Sequence, residues 1–341
     1  MKKVKANVYG SDTDPKKGVN NQYDTKPNAI SQPCLLMAVG VRNSGKSYAV
    51  SKIINEAQKG QSTFDEIFIC TPTMLSNMAY FGAHIPESNV FEPTGDCIQK
   101  VLTRGEELRD EWEEFLQKLN DYKEYMHVLK SRNSFTDEEL FKYDELGFLE
   151  GELPERPTWR YKRERPPQTL MILDDILHSP AILNSSGLTK CATLNRHLFP
   201  INPEFTGNGR TACGMSVIIC TQTYKCQNGI SRLLRENLTH LMLIGKNKQP
   251  KQLDTLTEEL GGGIAPEKFM RCYEQATKER YGNLLIDFFP SCPTKQFRMN
   301  LNTYLVFAED ESACMCKKKP KQLKLKEEKV DEEVVEEIKK I

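Results

Sequence analysis

The chain has 341 residues, enough for one large α/β core with decorations, and its 47 Lys plus Arg are matched by 47 Asp plus Glu. A neutral global field excludes bulk charge as the means of holding nucleic acid, so any such contact must be local, through loops or a lined channel. No apolar run reaches the roughly 18 to 20 residues needed to span a bilayer, and Met1 to Pro27 is polar and Lys-rich without an apolar secretory core.

Residues 1–30 read as a poorly ordered arm. The first buried strand is expected at Cys34-Leu35-Leu36-Met37-Ala38-Val39, a nearly continuous apolar run. Behind it stands Gly40-Val41-Arg42-Asn43-Ser44-Gly45-Lys46-Ser47, a full G-x-x-x-x-G-K-[ST] loop, and Lys46 to Ala57 then reads as a helix closed by Lys59-Gly60. A polyphosphate needs a ring of backbone N–H donors so close that side chains would obstruct it. Gly40, Asn43, Ser44, Gly45, Lys46 and Ser47 are therefore the nucleotide-contacting candidates. Lys46 would neutralise the β and γ phosphates and the Ser47 hydroxyl would hold Mg²⁺.

A second strand is expected at Glu66 to Thr71, ended by Pro72. In the long charged helix that follows, Leu108, Trp112, Phe115, Leu119, Tyr122, Met126 and Leu129 alternate steps of four and three, which lays one apolar seam along it. A second helix begins at Thr136, whose spacing to Glu139 is that of a capping box, and stops near Gly147. Together they form a helical hairpin inserted at about 98–150 in a core domain of 31–310. Pro154 to Pro167, carrying Trp159, Arg160, Lys162, Arg163 and Arg165, reads as a solvated connector in preference to a nucleic-acid contact strip.

The core resumes at Thr169-Leu170-Met171-Ile172-Leu173-Asp174-Asp175. A carboxylate at the end of a buried strand can reach the metal shell beside the phosphate loop, so Asp174 is the metal candidate and Asp175 the residue that polarises the attacking water. After a segment rich in Asn, Gly and Pro, Met215 to Gln222 is the next strand. Its terminal Gln222 either orients water and senses the γ-phosphate or is a plain strand-end glutamine in a turn. Leu238 to Ile244 gives a fifth strand, two helices bracket Gly261-Gly262-Gly263, and Tyr281 to Phe289 and Gln296 to Phe307 close the domain. Residues 311–341 form a charged tail. Eleven cysteines offer no C-x-x-C or His pair to complete a zinc site, and Cys34, Cys70 and Cys220 sit in apolar runs as small hydrophobes; reduced thiols in an intracellular compartment are expected.

The order of phosphate loop, Asp174-Asp175 strand and Gly209-Arg210-Thr211-Ala212-Cys213-Gly214 running into Met215 to Gln222 resembles the FtsK/HerA superfamily of DNA-pumping ATPases. The short chain, the paired acids, Arg235-Glu236-Asn237 and Tyr281 to Asp287 are most similar to the poxvirus-type genome-packaging ATPases of large DNA viruses and related mobile elements. The resemblance covers about residues 30–290. It implies an α/β, additional-strand (RecA-like) P-loop NTPase fold with a mainly parallel central sheet flanked by helices and the glutamine strand between the two phosphate-site strands. It also implies ATP and Mg²⁺ as cofactors, a homo-oligomeric ring, double-stranded DNA as the translocated partner, a capsid or portal-vertex protein as a further partner, and a place in the host cytoplasm, a viral factory or the virion. Many relatives carry Asp-Glu where this chain has Asp174-Asp175, so the second acid is one methylene shorter. A ring also needs a cation at the neighbour's γ-phosphate, for which Arg210, Arg232 and Arg235 are the candidates, Arg210 first. A helicase-like or transposition ATPase would use the same core without a capsid. A small-molecule kinase would instead need an acceptor-binding lid where this chain has the Asp174-Asp175 and Gln222 strands.

Overall fold

The computed structural model describes residues 1–5, 12–15, 23–25, 30–59, 63–73, 80–132, 134–150, 153–206, 209–226, 229–246, 250–260 and 264–313. Three short strands, β1 (Lys2–Lys5), β2 (Asp12–Pro15) and β3 (Tyr23–Thr25), precede the core, which opens with β4 (Leu35–Val39) and α1 (Lys46–Gln58). Next come β5 (Glu66–Cys70), β6 (Val90–Phe91), the hairpin helices α2 (Cys97–Ser131) and α3 (Asp137–Glu145), and β7 (Thr169–Asp174). Short helices α4 (Pro180–Leu183), α5 (Ser186–Leu194) and α6 (Pro203–Thr206) lead to β8 (Met215–Thr221). Then follow α7 (Arg232–Glu236), β9 (His240–Ile244), α8 (Pro250–Leu260), α9 (Pro266–Ala276), β10 (Asn283–Asp287), β11 (Phe297–Met299), β12 (Thr303–Val306) and α10 (Ala308–Ala313).

The main sheet has the order β1-β12-β11-β10-β9-β4-β8-β7-β5-β6. Its inner block from β9 to β6 is parallel, and every residue of β4, β7, β8 and β9 is buried. That is why these strands read as unbroken apolar runs: helices cover both faces. Alternation along each strand divides the core in two. Leu36, Ala38, Ile218 and Met242 meet Val50 and Ile54 of α1 on one face, while Leu35, Met37, Met171 and Leu241 meet Val101 and Leu102 of α2 and Phe269 of α9 on the other. The fold is the additional-strand P-loop arrangement, with β8 between the phosphate-loop strand β4 and the acid strand β7.

Several elements depart from the sequence expectation. Gln296 to Phe307 is two strands rather than one, because Asn300 and Leu301 both turn through positive φ (52° and 67°). Lys2–Lys5 of the expected arm pairs antiparallel with β12 at the sheet edge. The α2 seam holds through Leu108, Trp112, Phe115 and Leu119, then moves one residue round, so that Tyr125 and Val128 are buried in place of Tyr122, Met126 and Leu129. A straight helix drifts against a seven-residue repeat, and Tyr125 is claimed by an aromatic cluster with Phe135, Tyr143 and Phe148 at the hairpin tip. The capping box forms as expected: the Glu139 N–H donates to Thr136 Oγ1 at 3.3 Å and the Thr136 N–H donates to the Glu139 carboxylate at 2.9 Å.

Pro154 to Pro167 is not a solvated linker. Trp159 packs on Trp112 and Phe115 with ring centroids 5.1 and 5.4 Å away, and Arg165, only 5% exposed, pairs with Asp65 at 3.1 Å. The segment is a strap that covers the middle of α2. Among the described residues eight cysteines, Cys34, Cys70 and Cys220 among them, are free thiols, whereas Cys292 is disulfide-bonded, against the expectation of reduced thiols throughout. Gly60, Gly261 to Gly263 and the tail from 314 onward, with its cysteines Cys314 and Cys316, lie outside the described residues. No helix among the described residues is long and apolar enough to cross a membrane.

Candidate nucleotide-binding and catalytic site

Parallel strands leave their loops at one end of the sheet, and four elements converge there. The phosphate loop runs from β4 into α1. Its Gly40 N–H donates to Thr221 O at 3.0 Å, so the loop starts beside the end of β8. The glycine at the helix start is required by conformation, since Gly45 caps α1 at φ 91°, the left-handed region that side chains disfavour. Asn43 shares that region at φ 62°, which Asn tolerates better than most residues. The Ser44 hydroxyl is buried without a hydrogen-bond partner and lies over Gly40, where an added Cβ would come within 2.5 Å of it. Lys46 Nζ donates to the Gly40 carbonyl at 3.0 Å, folded across its own loop. Ser47, partly buried, sits one residue on in the first turn of α1.

Opposite the loop, Asp174 ends β7 and is 7% exposed; its Oδ2 accepts from the Thr71 hydroxyl at 3.4 Å. Asp175 turns out of the strand at φ 52°, its N–H held by Cys220 O at 3.2 Å. Gln222, just past β8, donates from Nε2 to Asp175 Oδ1 at 3.2 Å. The amide thus fixes one carboxylate oxygen and leaves the other to accept from a water. Burial, the first cause, drives the Cys220 thiol well above its ordinary value, and the charges of Asp174, Lys46 and Asp175 also act on it, so all three gather around one strand end. The sequence marks Thr71 only as the end of a strand, yet its hydroxyl reaches Asp174 from the end of β5; a hydroxyl directly after a buried strand was the available signal.

The three arginines separate cleanly. Arg210 is 2% exposed and bonded to the Cys213 carbonyl before β8 begins, at the amino end of a strand roughly 20 Å long by its rise of about 3.3 Å per residue. Its guanidinium is enclosed within this chain and not presented at the surface. Arg235 spans the Glu259 carboxylate with Nε at 2.9 Å and Nη2 at 3.0 Å, donates Nη1 to Ile230 O, and covers the Tyr224 ring at 5.4 Å. Burial opposes its charge, but Glu259 outweighs that and the net shift is upward. Arg232 is the exposed one, its side chain 82% accessible with one ion pair to Glu236 four residues on, at 2.7 Å.

The donor set fits a nucleoside triphosphate with a hard cation: a left-handed glycine cradle, an orphaned buried hydroxyl, a lysine, and oxygen donors from Ser47 and Asp174 of the kind Mg²⁺ takes beside substrate phosphates. Among the described residues no group of three His, Cys, Asp or Glu could hold a metal by itself. A cavity of about 640 Å³ lies away from this site, between β5 and α2, lined by Glu66, Lys100, Arg104 and Tyr161. Three of those groups are tied together, with Arg104 and Tyr161 both bonded to Glu66, and Lys100 pairs with Asp96 at 2.8 Å.

No protein-family model and no curated protein matches the chain. Among solved structures it is similar to the genome packaging NTPase B204 from Sulfolobus turreted icosahedral virus 2 in complex with ATP-gammaS, at 12% identity and a TM-score of 0.40 over 79% of this chain and 98% of that one. It is also similar to the pCW3 conjugation coupling protein TcpA at 12% and 0.38, over 85% and 64% of the two chains. The cytoplasmic domain of the Thermomonospora curvata type VII secretion ATPase EccC gives 12% and 0.37, over 80% and 25%. At such identities the chemistry has to be argued from this chain's own residues.

Proposed function

We propose that the protein hydrolyses ATP and uses the energy to move double-stranded DNA, with packaging of a viral genome into a capsid as the specific task. The observation that carries the hydrolysis is the Gln222–Asp175 contact of 3.2 Å beside the phosphate loop, made possible by the insertion of β8 between β4 and β7. A phosphoryl acceptor other than water is not suggested by these groups, which favours an ATPase over a kinase.

In this reading the loop N–H groups cradle the triphosphate and Lys46 leaves the Gly40 carbonyl for the β and γ phosphates. Mg²⁺, held by Ser47 and Asp174, would neutralise charge on the phosphate oxygens. Gln222 positions a water and Asp175 accepts its proton as the oxygen attacks the γ-phosphorus. The bond to the bridging oxygen breaks, and ADP and phosphate leave. The exposed Arg232 is the residue we assign to the neighbouring subunit's γ-phosphate in a homo-oligomeric ring. The DNA role is supported by the Gly209 to Gln222 element and its resemblance to DNA-pumping ATPases, and the capsid or portal-vertex partner, with a virion or viral-factory location, follows from that same resemblance. A helicase-like or transposition ATPase would differ by lacking that partner in co-purification.

The test is steady-state ATPase activity of the purified chain with and without long double-stranded DNA, at low and moderate salt. Stimulation by DNA that fades as salt rises is expected, because phosphate contacts release counterions. Lys46→Ala should abolish turnover in both conditions. Unchanged turnover in that variant would overturn the site, and hydrolysis indifferent to DNA would overturn the motor.

A further inference from the structure

The phosphate loop has two flanks, and the groups proposed to act on the γ-phosphate occupy only one. Asp174, Asp175 and Gln222 line the side of β7 and β8, so a γ-phosphate directed at them sends the α-phosphate and the nucleoside out over the other side, toward β9 and β10. There the chain returns to the loop between α9 and β10. The Gly245 N–H donates to Gly282 O at 2.8 Å, and Asn283 is in register with Ile244 at the end of β9. Gly282 fixes this turn, because a Cβ there would come within 2.3 Å of Ala276 O.

The residue before it is Tyr281. Its ring lies against the helix start: a Cβ added at Gly45 would meet Tyr281 Cδ1 at 3.1 Å and its Cβ and Cγ at 3.5 Å. Tyr281 is held at φ 65°, a conformation bulky residues rarely adopt, yet it remains 48% exposed and so is not there to fill the core. The Arg280 guanidinium stands 4.7 Å from the ring centroid. Tyr48, directly after Ser47, is 62% exposed on the first turn of α1.

We propose that the Tyr281 ring, backed by Arg280, is the platform on which the purine base of the bound nucleotide stacks. This rests on the nucleotide-binding reading. An aromatic face against the loop is suited to a flat π-surface emerging from it, and a guanidinium covering one part of the ring sets its position. Tyr281 contacts substrate without entering the chemistry, so it governs affinity rather than the γ-phosphate step.

The experiment titrates the full chain with ATPγS and, separately, with inorganic tripolyphosphate. Tyr281→Asn is the main variant, because Asn tolerates left-handed backbone; Tyr281→Phe keeps the ring. Expected is a loss of ATPγS affinity of roughly 5- to 100-fold in Tyr281→Asn, as for removal of a base-stacking aromatic, near wild-type binding in Tyr281→Phe, and unchanged tripolyphosphate binding in both. Wild-type ATPγS affinity in Tyr281→Asn would overturn the platform, and so would an equal loss of both ligands, which would make the tyrosine a brace for the loop. If the wild-type chain binds neither ligand, the nucleotide reading itself falls, an outcome distinct from these two.

Discussion

Arg232 makes the sharpest case, because burial assigns the three candidate arginines opposite consequences. Replacing Arg232 by Ala removes a side chain that is 82% exposed and that, among the described residues, pairs with Glu236 alone across one helical turn. Pairs of that kind contribute about 0.3–0.5 kcal/mol, which in a domain of this size moves the melting point by no more than about 2 °C. A cation delivered to a neighbour's transferring phosphoryl group, by contrast, is worth roughly 10³ to 10⁵ in turnover, about 4–7 kcal/mol at 1.36 kcal/mol per decade. The variant should therefore melt with the wild type, bind ATPγS normally and fail to turn over. Arg235→Ala should behave in the reverse order, since it strips the Glu259 carboxylate of a two-point partner and so costs stability first. The assay is a thermal melt, a nucleotide titration and steady-state turnover on each variant. Mixing Arg232→Ala with Lys46→Ala follows, in which intact sites re-form where a Lys46-bearing subunit meets an Arg232-bearing one. Wild-type turnover in Arg232→Ala, or no recovery at any mixing ratio, would refute the assignment.

Gly105→Ala tests the packing under the inserted helix. Alanine gains about 1 kcal/mol over glycine in helix propensity, but its methyl would land 2.1 to 2.6 Å from the ring carbons of Phe199. That ring is 3% exposed on a backbone at φ 58° and has little room to yield, so a net destabilisation of about 1–3 kcal/mol is expected from overpacking; a raised urea midpoint would contradict it. Asp287 carries a pH prediction. Burial pushes its pKa up, but His240 at 3.7 Å, the Phe289 N–H at 2.9 Å and Arg298 bring it net below the ordinary value. Because the folded pKa is the depressed one, its stabilisation is complete above the unfolded value near ~4 and is lost as pH falls through the folded value. Melting points of wild type and Asp287→Asn should converge as the pH falls below about 4, and a gap that widens with acid would reverse the sign.

What could be read from the sequence was what short-range chemistry dictates. The loop, the acid strand and the glutamine strand each announce themselves within about eight residues, because a cradle of N–H groups and a doubly covered strand leave little freedom in composition. The insertion of β8 between β4 and β7 came from the family resemblance, since strand order is not a local property. The arginines went the other way. Nothing near Arg210 or Arg235 in sequence says that one is enclosed by the turn before β8 and the other clamped by a glutamate 24 residues on. The strap at Pro154 to Pro167 was misjudged for a related reason: its charges suggest solvent, but Trp159 and Arg165 find partners more than 40 residues away. Tyr281 was visible only as part of a strand, because a positive φ at a non-glycine residue leaves no local mark in the sequence.

The inserted hairpin has a mechanical side. α2 is 35 residues long, about 52 Å at 1.5 Å per residue, and its first turns, with Ile98, Val101 and Leu102, are bedded in the core that also holds the acid strand. Its far end carries a private aromatic cluster that needs nothing from that core. Because Trp112, Phe115 and Leu119 are bedded in that same core, only the stretch from Leu119 to Ser131 projects beyond it, about 18 Å, and a tilt of ten degrees there displaces the tip by about 3 Å.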